Sequence, residues 1–471
     1  MWDVSGSPIT RERSHVVQVF LAPYYEKLQI NVKQPCKHLY TDVEILVGLL
    51  GIKGQKRDSR IALSAGRKGN SVDAELPIAT YYNGERDSEM KEKKKFSYWP
   101  KFCTLPLDLE FLSLVLMLTA IGLVMLLSAS YPAALHYKND GLFYFKRQAV
   151  FALIGFAAMI FISFLDYEWF RKVGRAFLVF SLFLLMLVLF PSIGEVRNNA
   201  RRWISIAGFA FQPSEIVKLS VIIAFSASIS VKKEKIRRFG SGILPYAATL
   251  TLIFALMWKE PHLSGAILIV AVGCVLMFVG GIQLRWVFMA MGIVSVGIFL
   301  LMTGIVSYGQ SRIAMWKNPF IDASNEGYQL SQSILAIGSG GLWGLGLGRS
   351  RQKFLFLPEV QNDFVFSIVA EELGLVGSCL ILSIFAMLIV KGYTIARNSK
   401  DRFGALLCVG VITQFALQTF LNIAVVTGLV PTTGISLPFF SYGGTALVMQ
   451  LAEMGIVLSV SRQRKTNYTR I

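Results

Sequence analysis

Residues 108–130 read DLEFLSLVLMLTAIGLVMLLSAS, and their only charges, Asp108 and Glu110, stand at the start. Phe111 to Ser130 is free of charge, and a helix of that length crosses a hydrocarbon core about 30 Å thick at 1.5 Å per residue. Nine more apolar blocks follow, at approximately 147–165, 174–190, 213–230, 242–258, 263–281, 284–306, 364–391, 404–427 and 440–461. Lipid leaves no partner for an exposed backbone amide, so segments of this length cross as helices. The expected fold is an all-α integral membrane protein with ten transmembrane helices.

The composition agrees with that reading. Of 471 residues, 54% are hydrophobic and 16% charged, with a mean hydropathy of +0.54. These values exclude a soluble enzyme, a disordered chain and a secreted disulfide scaffold. The five cysteines form no CxxC pair and the four histidines are scattered, so neither a zinc site nor a metal site built on histidine is expected. The net charge of +18 would suggest nucleic acid in a soluble protein. Here it maps to topology instead, and no nucleic-acid partner is expected. Arg171, Lys172, Arg175, Lys232, Lys233, Lys235, Arg237, Arg238, Arg285, Lys391, Arg397, Lys400, Arg402, Arg462, Arg464 and Lys465 fall on one face, which the positive-inside rule makes cytoplasmic. Ten spans put both termini on that side. The outer face then carries 191–212, 428–439 and a long extracytoplasmic loop, 307–363, between helices 7 and 8. A loop of that length is usually functional.

Residues 1–104 are polar and mixed in charge, and read as a mostly disordered cytoplasmic extension. Met90 opens the run Met90-Lys-Glu-Lys-Lys-Lys and is a candidate start of the working protein, with a genuine extension as the alternative. Residues 105–465 form the membrane domain and 466–471 a cytoplasmic tail.

Three constellations carry chemistry. In Phe211-Gln-Pro-Ser-Glu-Ile-Val-Lys218, Glu215 and Lys218 share a helical face and can pair inside the membrane, where ionisable groups mark a cavity or a structural ion pair. Just before them, Arg201 and Arg202 break the charge bias and suit an anionic headgroup or interfacial anchoring. In Phe356-Leu-Pro-Glu-Val-Gln-Asn-Asp-Phe364, Asp363 stands at the mouth of the eighth span with Glu359, Arg349, Arg351 and Lys353 near it in sequence. A helix cap would explain the aspartate alone. A carboxylate beside bases also suits group transfer from a phosphorylated donor. In 428–444, GLVPTTGISLPFFSYGG, prolines, glycines and small hydroxyls, Ser441 among them, imply broken backbone lining a cavity rather than facing lipid. A glycine pattern at 338–344 lacks any βαβ context and is dismissed as a dinucleotide site.

These segments, with NNARRWI at 198–204, closely resemble the SEDS family (FtsW/RodA) of bacterial inner-membrane proteins over residues 105–465. GLVPTTGISLPF and IGLVMLLSAS are more similar to its division branch than to its elongation branch. The resemblance implies a peptidoglycan glycosyltransferase that polymerises lipid II and works at the division septum with a class B penicillin-binding protein and other division proteins. A lipid II flippase and an elongation-type polymerase are the alternatives. It implies that Asp363 is the family's essential outer-face aspartate and that Glu215 and Lys218 are its paired charges. Joined with the reading of the residues themselves, it makes Asp363 the expected catalytic general base and Arg201, Arg202, Glu215, Lys218, Lys353, Glu359 and Ser441 the residues expected to meet the substrate, with a divalent cation as a candidate cofactor. The family's usual His-Thr-Asp reads Gln361-Asn362-Asp363 here, and its frequent Glu-Pro-Asp reads Glu260-Pro261-His262.

Overall fold

The computed structural model describes residues 107–197, 200–206, 209–232, 236–283, 285, 286, 289, 310–320 and 327–463. The N-terminal extension with Met90, the tail 466–471 and almost all of the expected seventh span lie outside the described residues. Each of the other nine expected spans coincides with a helix. These are α1 (Leu109–Lys138), α2 (Phe143–Phe164), α3 (Glu168–Val188), α4 (Pro213–Lys232), α5 (Leu244–Lys259) and α6 (Leu263–Val279), then α9 (Val365–Arg397), α10 (Arg402–Val426) and α11 (Gly444–Arg462). Among the described residues six of them, α1, α2, α4, α9, α10 and α11, are long and apolar enough to cross a bilayer. The chain is thus a multi-pass, largely α-helical membrane protein. Large apolar side chains on the outside of the bundle, such as Leu153 at 70% exposure and Val390 at 65%, face where lipid would be.

The helix ends follow from local chemistry. Asp108 accepts the Phe111 amide at 3.1 Å and starts α1, and Asn139 ends it in the left-handed conformation that asparagine tolerates. Pro213 opens α4, where its missing N–H would be unpaired anyway.

Hydrogen bonds sort the termini into two ends. At one end, Asp401 caps α10 through the Gly404 amide and accepts from the Tyr167 hydroxyl and Arg171. Arg402 there donates to the Gly280 carbonyl, and Lys391 meets Asp108. The other end gathers the α1–α2 corner, the 191–212 connection, the α5–α6 turn, the approach to α9 and the 428–443 segment.

Two connections are not plain loops. Within 191–212 the chain forms an antiparallel sheet, β1 (Gly194–Arg197), β2 (Ala200–Ile206) and β3 (Phe209–Phe211), in the order β1-β2-β3. This corrects the all-α expectation. The sequence Arg201-Arg-Trp-Ile-Ser-Ile206 is rich in β-branched and aromatic residues, which suits a half-buried strand, and Ile204 is 1% exposed. The 307–363 connection contains α7 (Gln310–Lys317) and α8 (Tyr328–Gly340). The chain beyond α8 docks into a break in α9 at Gly374, whose φ of +66° suits glycine. There the Leu345 and Gly346 amides donate to the Glu371 and Glu372 carbonyls, both at 3.0 Å.

Candidate active site

A cavity of about 860 Å³ opens among the second set of ends. Its walls include Tyr144 and Arg147 of α2 with Lys138 of α1; Arg202 and Trp203 of β2; Glu215 and Lys218 of α4; His262 between α5 and α6; Glu359 and Asp363 before α9; Gln418 of α10; and Gly434, Ser436 and Tyr442 after α10. Residues more than 300 positions apart in sequence thereby share one space.

The floor is the pair foreseen from spacing. Lys218 Nζ lies 2.7 Å from Glu215 Oε2, and both side chains are nearly excluded from solvent. Lys218 also donates to Gln418 Oε1 at 3.4 Å, and Gln418 donates to the Ser436 carbonyl at 3.0 Å. The ion pair is therefore tied to the irregular segment above it.

Asp363 is held by its backbone. The Asn422 side-chain amide donates to the Asp363 carbonyl at 2.8 Å and to the Ile435 carbonyl at 2.7 Å, so α10 clamps the aspartate to the 428–443 segment. A Cβ built on Gly434 would stand 3.3 Å from Asp363 Oδ2, and Gly434 has φ +70°. The carboxylate is thus approached by backbone in the left-handed region that favours glycine. Burial, with the Glu359 charge adding to it, pushes the Asp363 carboxyl up to about 6 against the opposing pull of Arg202. The capping explanation does not hold, because the cap position of α9 is Phe364 and no side chain bonds there.

The turn between α5 and α6 buries two ionisable groups, and burial disfavours the charged form of each. Burial raises Glu260 to about 8. Burial, with Arg202 and Lys218, lowers His262 to about 3. His262 lines the cavity and its Nδ1 meets the Gln212 amide nitrogen at 3.4 Å. Arg202 donates to the Glu260 carbonyl at 3.3 Å, which aims β2 at this turn.

The structure brings together Asp363, Arg202, Glu215, Lys218 and Glu359. Three other expected residues are not on the cavity wall. Arg201, next to Arg202 on a strand, points to the opposite face, packs on Gly194 and donates to the Leu189 carbonyl at 3.4 Å. Lys353 is 5% exposed and is consumed by Glu372 at 2.9 Å and Ser128 at 3.1 Å. Ser441 turns inward, its hydroxyl accepting the Leu437 amide at 2.7 Å.

Other residues on the wall or beneath it were missed. Lys138 and Arg147 break the same charge bias that singled out Arg201, so a complete search for misplaced bases would have found them. Gln414, Gln418 and Asn422 recur every four residues on α10, a polar stripe that a search for ionisable groups alone passes over. Glu453 of α11, 2% exposed, accepts from Gln414 at 2.8 Å.

The sequence matches the Cell cycle protein family, that of FtsW, RodA and SpoVE, over residues 109–466. This chain belongs to the SEDS family of peptidoglycan glycosyltransferases. It is 39% identical over 358 residues to the probable peptidoglycan glycosyltransferase FtsW of Geobacter sulfurreducens (strain DL-1 / KN400), covering 76% of this chain and 96% of that protein. It is 41% identical over 355 residues to the stage V sporulation protein E of Bacillus subtilis (strain 168), covering 75% and 97%. Among solved structures it is similar to a chain of a peptidoglycan synthase complex studied for the structural coordination of polymerization and crosslinking, with a TM-score of 0.64, 26% identity and coverage of 77% and 100%. It is also similar to RodA of Thermus thermophilus, with a TM-score of 0.57, 27% identity and coverage of 77% and 99%.

In this SEDS chain the two residues before the aspartate serve the loop. The Gln361 carbonyl accepts the Tyr442 amide at 2.7 Å, and the Asn362 amide donates to Glu359. Asp363 and Glu359 are the carboxylates that would face a divalent cation. Among the described residues no group of three or more His, Cys, Asp or Glu side chains is placed to complete a ligand set.

Proposed function

We propose that this SEDS glycosyltransferase polymerises lipid II in the cavity, with Asp363 as the general base. The observation that carries the reading is a cavity-wall carboxylate raised to about 6 by burial, close to the working pH that general-base catalysis favours. Asp363 takes the proton from the 4-hydroxyl of the acceptor GlcNAc. The freed oxygen attacks the anomeric carbon of the donor MurNAc, and the bond from that carbon to the undecaprenyl diphosphate breaks with the electron pair leaving on the diphosphate. One displacement inverts the α-linked donor to a β-1,4 linkage. Arg202 offsets the departing charge.

The topology that supports this chemistry has ten spans, the seventh at 284–306. Both termini lie in the cytoplasm, residues 1–104 form a cytoplasmic extension, and the cavity opens to the outer face beside the long connection between the seventh and eighth spans. The bases near Asp401 mark the cytoplasmic end. Similarity to FtsW favours septal synthesis. The synthase complex among the similar structures suggests a crosslinking partner, a class B penicillin-binding protein, together with other division proteins.

A lipid II transporter gains one point from the structure, the stripe of Gln414, Gln418 and Asn422 descending from the cavity. Yet the wall includes Gln418 and Lys218 but neither Gln414 nor Glu453, and all three side chains of the stripe are at most 2% exposed. The polar path closes at the ion pair. Detergent micelles have no second side, so a transporter has nothing to produce there. Purified protein incubated with lipid II in micelles, with and without the transpeptidase, should give a ladder of glycan chains; unchanged lipid II in both samples would contradict polymerisation.

A further inference from the structure

Three basic residues crowd the α1–α2 corner, and they are not equivalent. Lys146 pairs with Asp140 at 3.0 Å and is absent from the cavity wall. Lys138 and Arg147 both line the cavity, are solvent-exposed, and make no ion pair among the described residues. Each stands 5.6 Å from the centroid of the same ring, Phe143, so their charged heads are no further apart than twice that distance. Arg147 follows Tyr144 by one helical turn and shares its face, and Tyr144 stacks edge-on against Tyr442 at 4.9 Å beside the Asp363 loop. The corner thus presents two cations without counter-ions to the space that holds Asp363.

We infer that Lys138 and Arg147 form a diphosphate-binding edge of the cavity, which takes the charged head of a polyprenyl diphosphate. The chemistry fits both side chains. A guanidinium offers a planar fork to two phosphate oxygens, and an ammonium adds a mobile point charge. Exposed cations at the end of the bundle proposed to be extracytoplasmic run against the distribution that membrane insertion favours, and an anionic ligand there gives them a function. The two residues are positioning and binding groups, leaving proton transfer to Asp363. The inference deepens the proposed polymerisation and rests on it for the identity of the lipid, though its test reads binding alone.

The test measures equilibrium binding to purified protein in nanodiscs, with undecaprenyl diphosphate, undecaprenol and inorganic pyrophosphate as probes. The wild type should prefer the diphosphate lipid to the alcohol. Lys138→Gln/Arg147→Gln should weaken diphosphate binding at least tenfold and leave undecaprenol unchanged, while Lys146→Gln behaves as the wild type. Inorganic pyrophosphate should compete with the diphosphate lipid on the wild type. Diphosphate binding unchanged in the double variant, equal loss of both lipids, or failure of saturating pyrophosphate to compete would each overturn the assignment. Asp363→Asn should bind all three probes normally. Should that variant remain an active polymerase, the proposed base fails while the binding result stands by itself.

Discussion

Asp363 differs from an ordinary aspartate at a helix start in that it does not cap the helix and its carboxylate faces a cavity. A base must be ionised, so with the group near 6 polymerisation should rise with pH through that value and fall below it. Glu359→Gln removes a charge that raises Asp363 and should move the acid limb to lower pH. Arg202→Gln removes an opposing charge and should move it higher. Initial rates between about pH 4.5 and 8 check both directions. Gly434 makes a second prediction. Its positive φ and 3.3 Å approach mean that Gly434→Ala strains the backbone and displaces the carboxylate, so kcat should drop about tenfold or more, with thermal stability measured alongside. The aspartate itself was legible from its place beside a second carboxylate at a span boundary. The glycine was not, because its significance lies in a contact 71 residues away in sequence.

At the scale of elements, the clasp between the 341–357 chain and α9 is structural. Lys353 and Glu372 are 5% and 0% exposed, and Glu371 accepts the Arg351 amide at 2.9 Å. Lys353→Met leaves a carboxylate buried without its cation and should cost about 3–5 kcal/mol, whereas Lys353→Met with Glu372→Leu should recover much of it. Thermal unfolding in detergent reads the difference, and kcat/KM per folded molecule should stay within about threefold of the wild type. Sequence proximity suggested that Lys353 serves Asp363, and it misled because Lys353 is bound to Glu372 and Ser128 away from the cavity wall. Apolar block length revealed the helices, since a bilayer core fixes how long a span must be. The sheet at 194–211 was hidden by the same habit of reading, which treats what lies between spans as loop. The β-branched and aromatic residues of Arg201–Ile206 carry the strand signal, and the structure brings Arg202 but not Arg201 to the cavity.

For the whole molecule, the central division is between an end tied by ion pairs around Asp401 and an end that opens into the cavity. In a background without the native cysteines, Asn139→Cys should react with an impermeant maleimide on intact cells and Lys400→Cys only after permeabilisation, as expected if the cavity is extracytoplasmic. The excess of bases that first suggested nucleic acid thus divides into a majority that orient the bundle and a few, Lys138, Arg147, Arg202 and Lys218, that face the cavity. The claim to which all of this leads is that Asp363 accepts the proton during glycan polymerisation. The most direct measurement is the rate of lipid II polymerisation by purified Asp363→Asn beside the wild type, with lipid II binding measured on both. The account predicts normal binding and a rate lower by roughly two to four orders of magnitude; a folded variant that binds lipid II and polymerises it at the wild-type rate would contradict it.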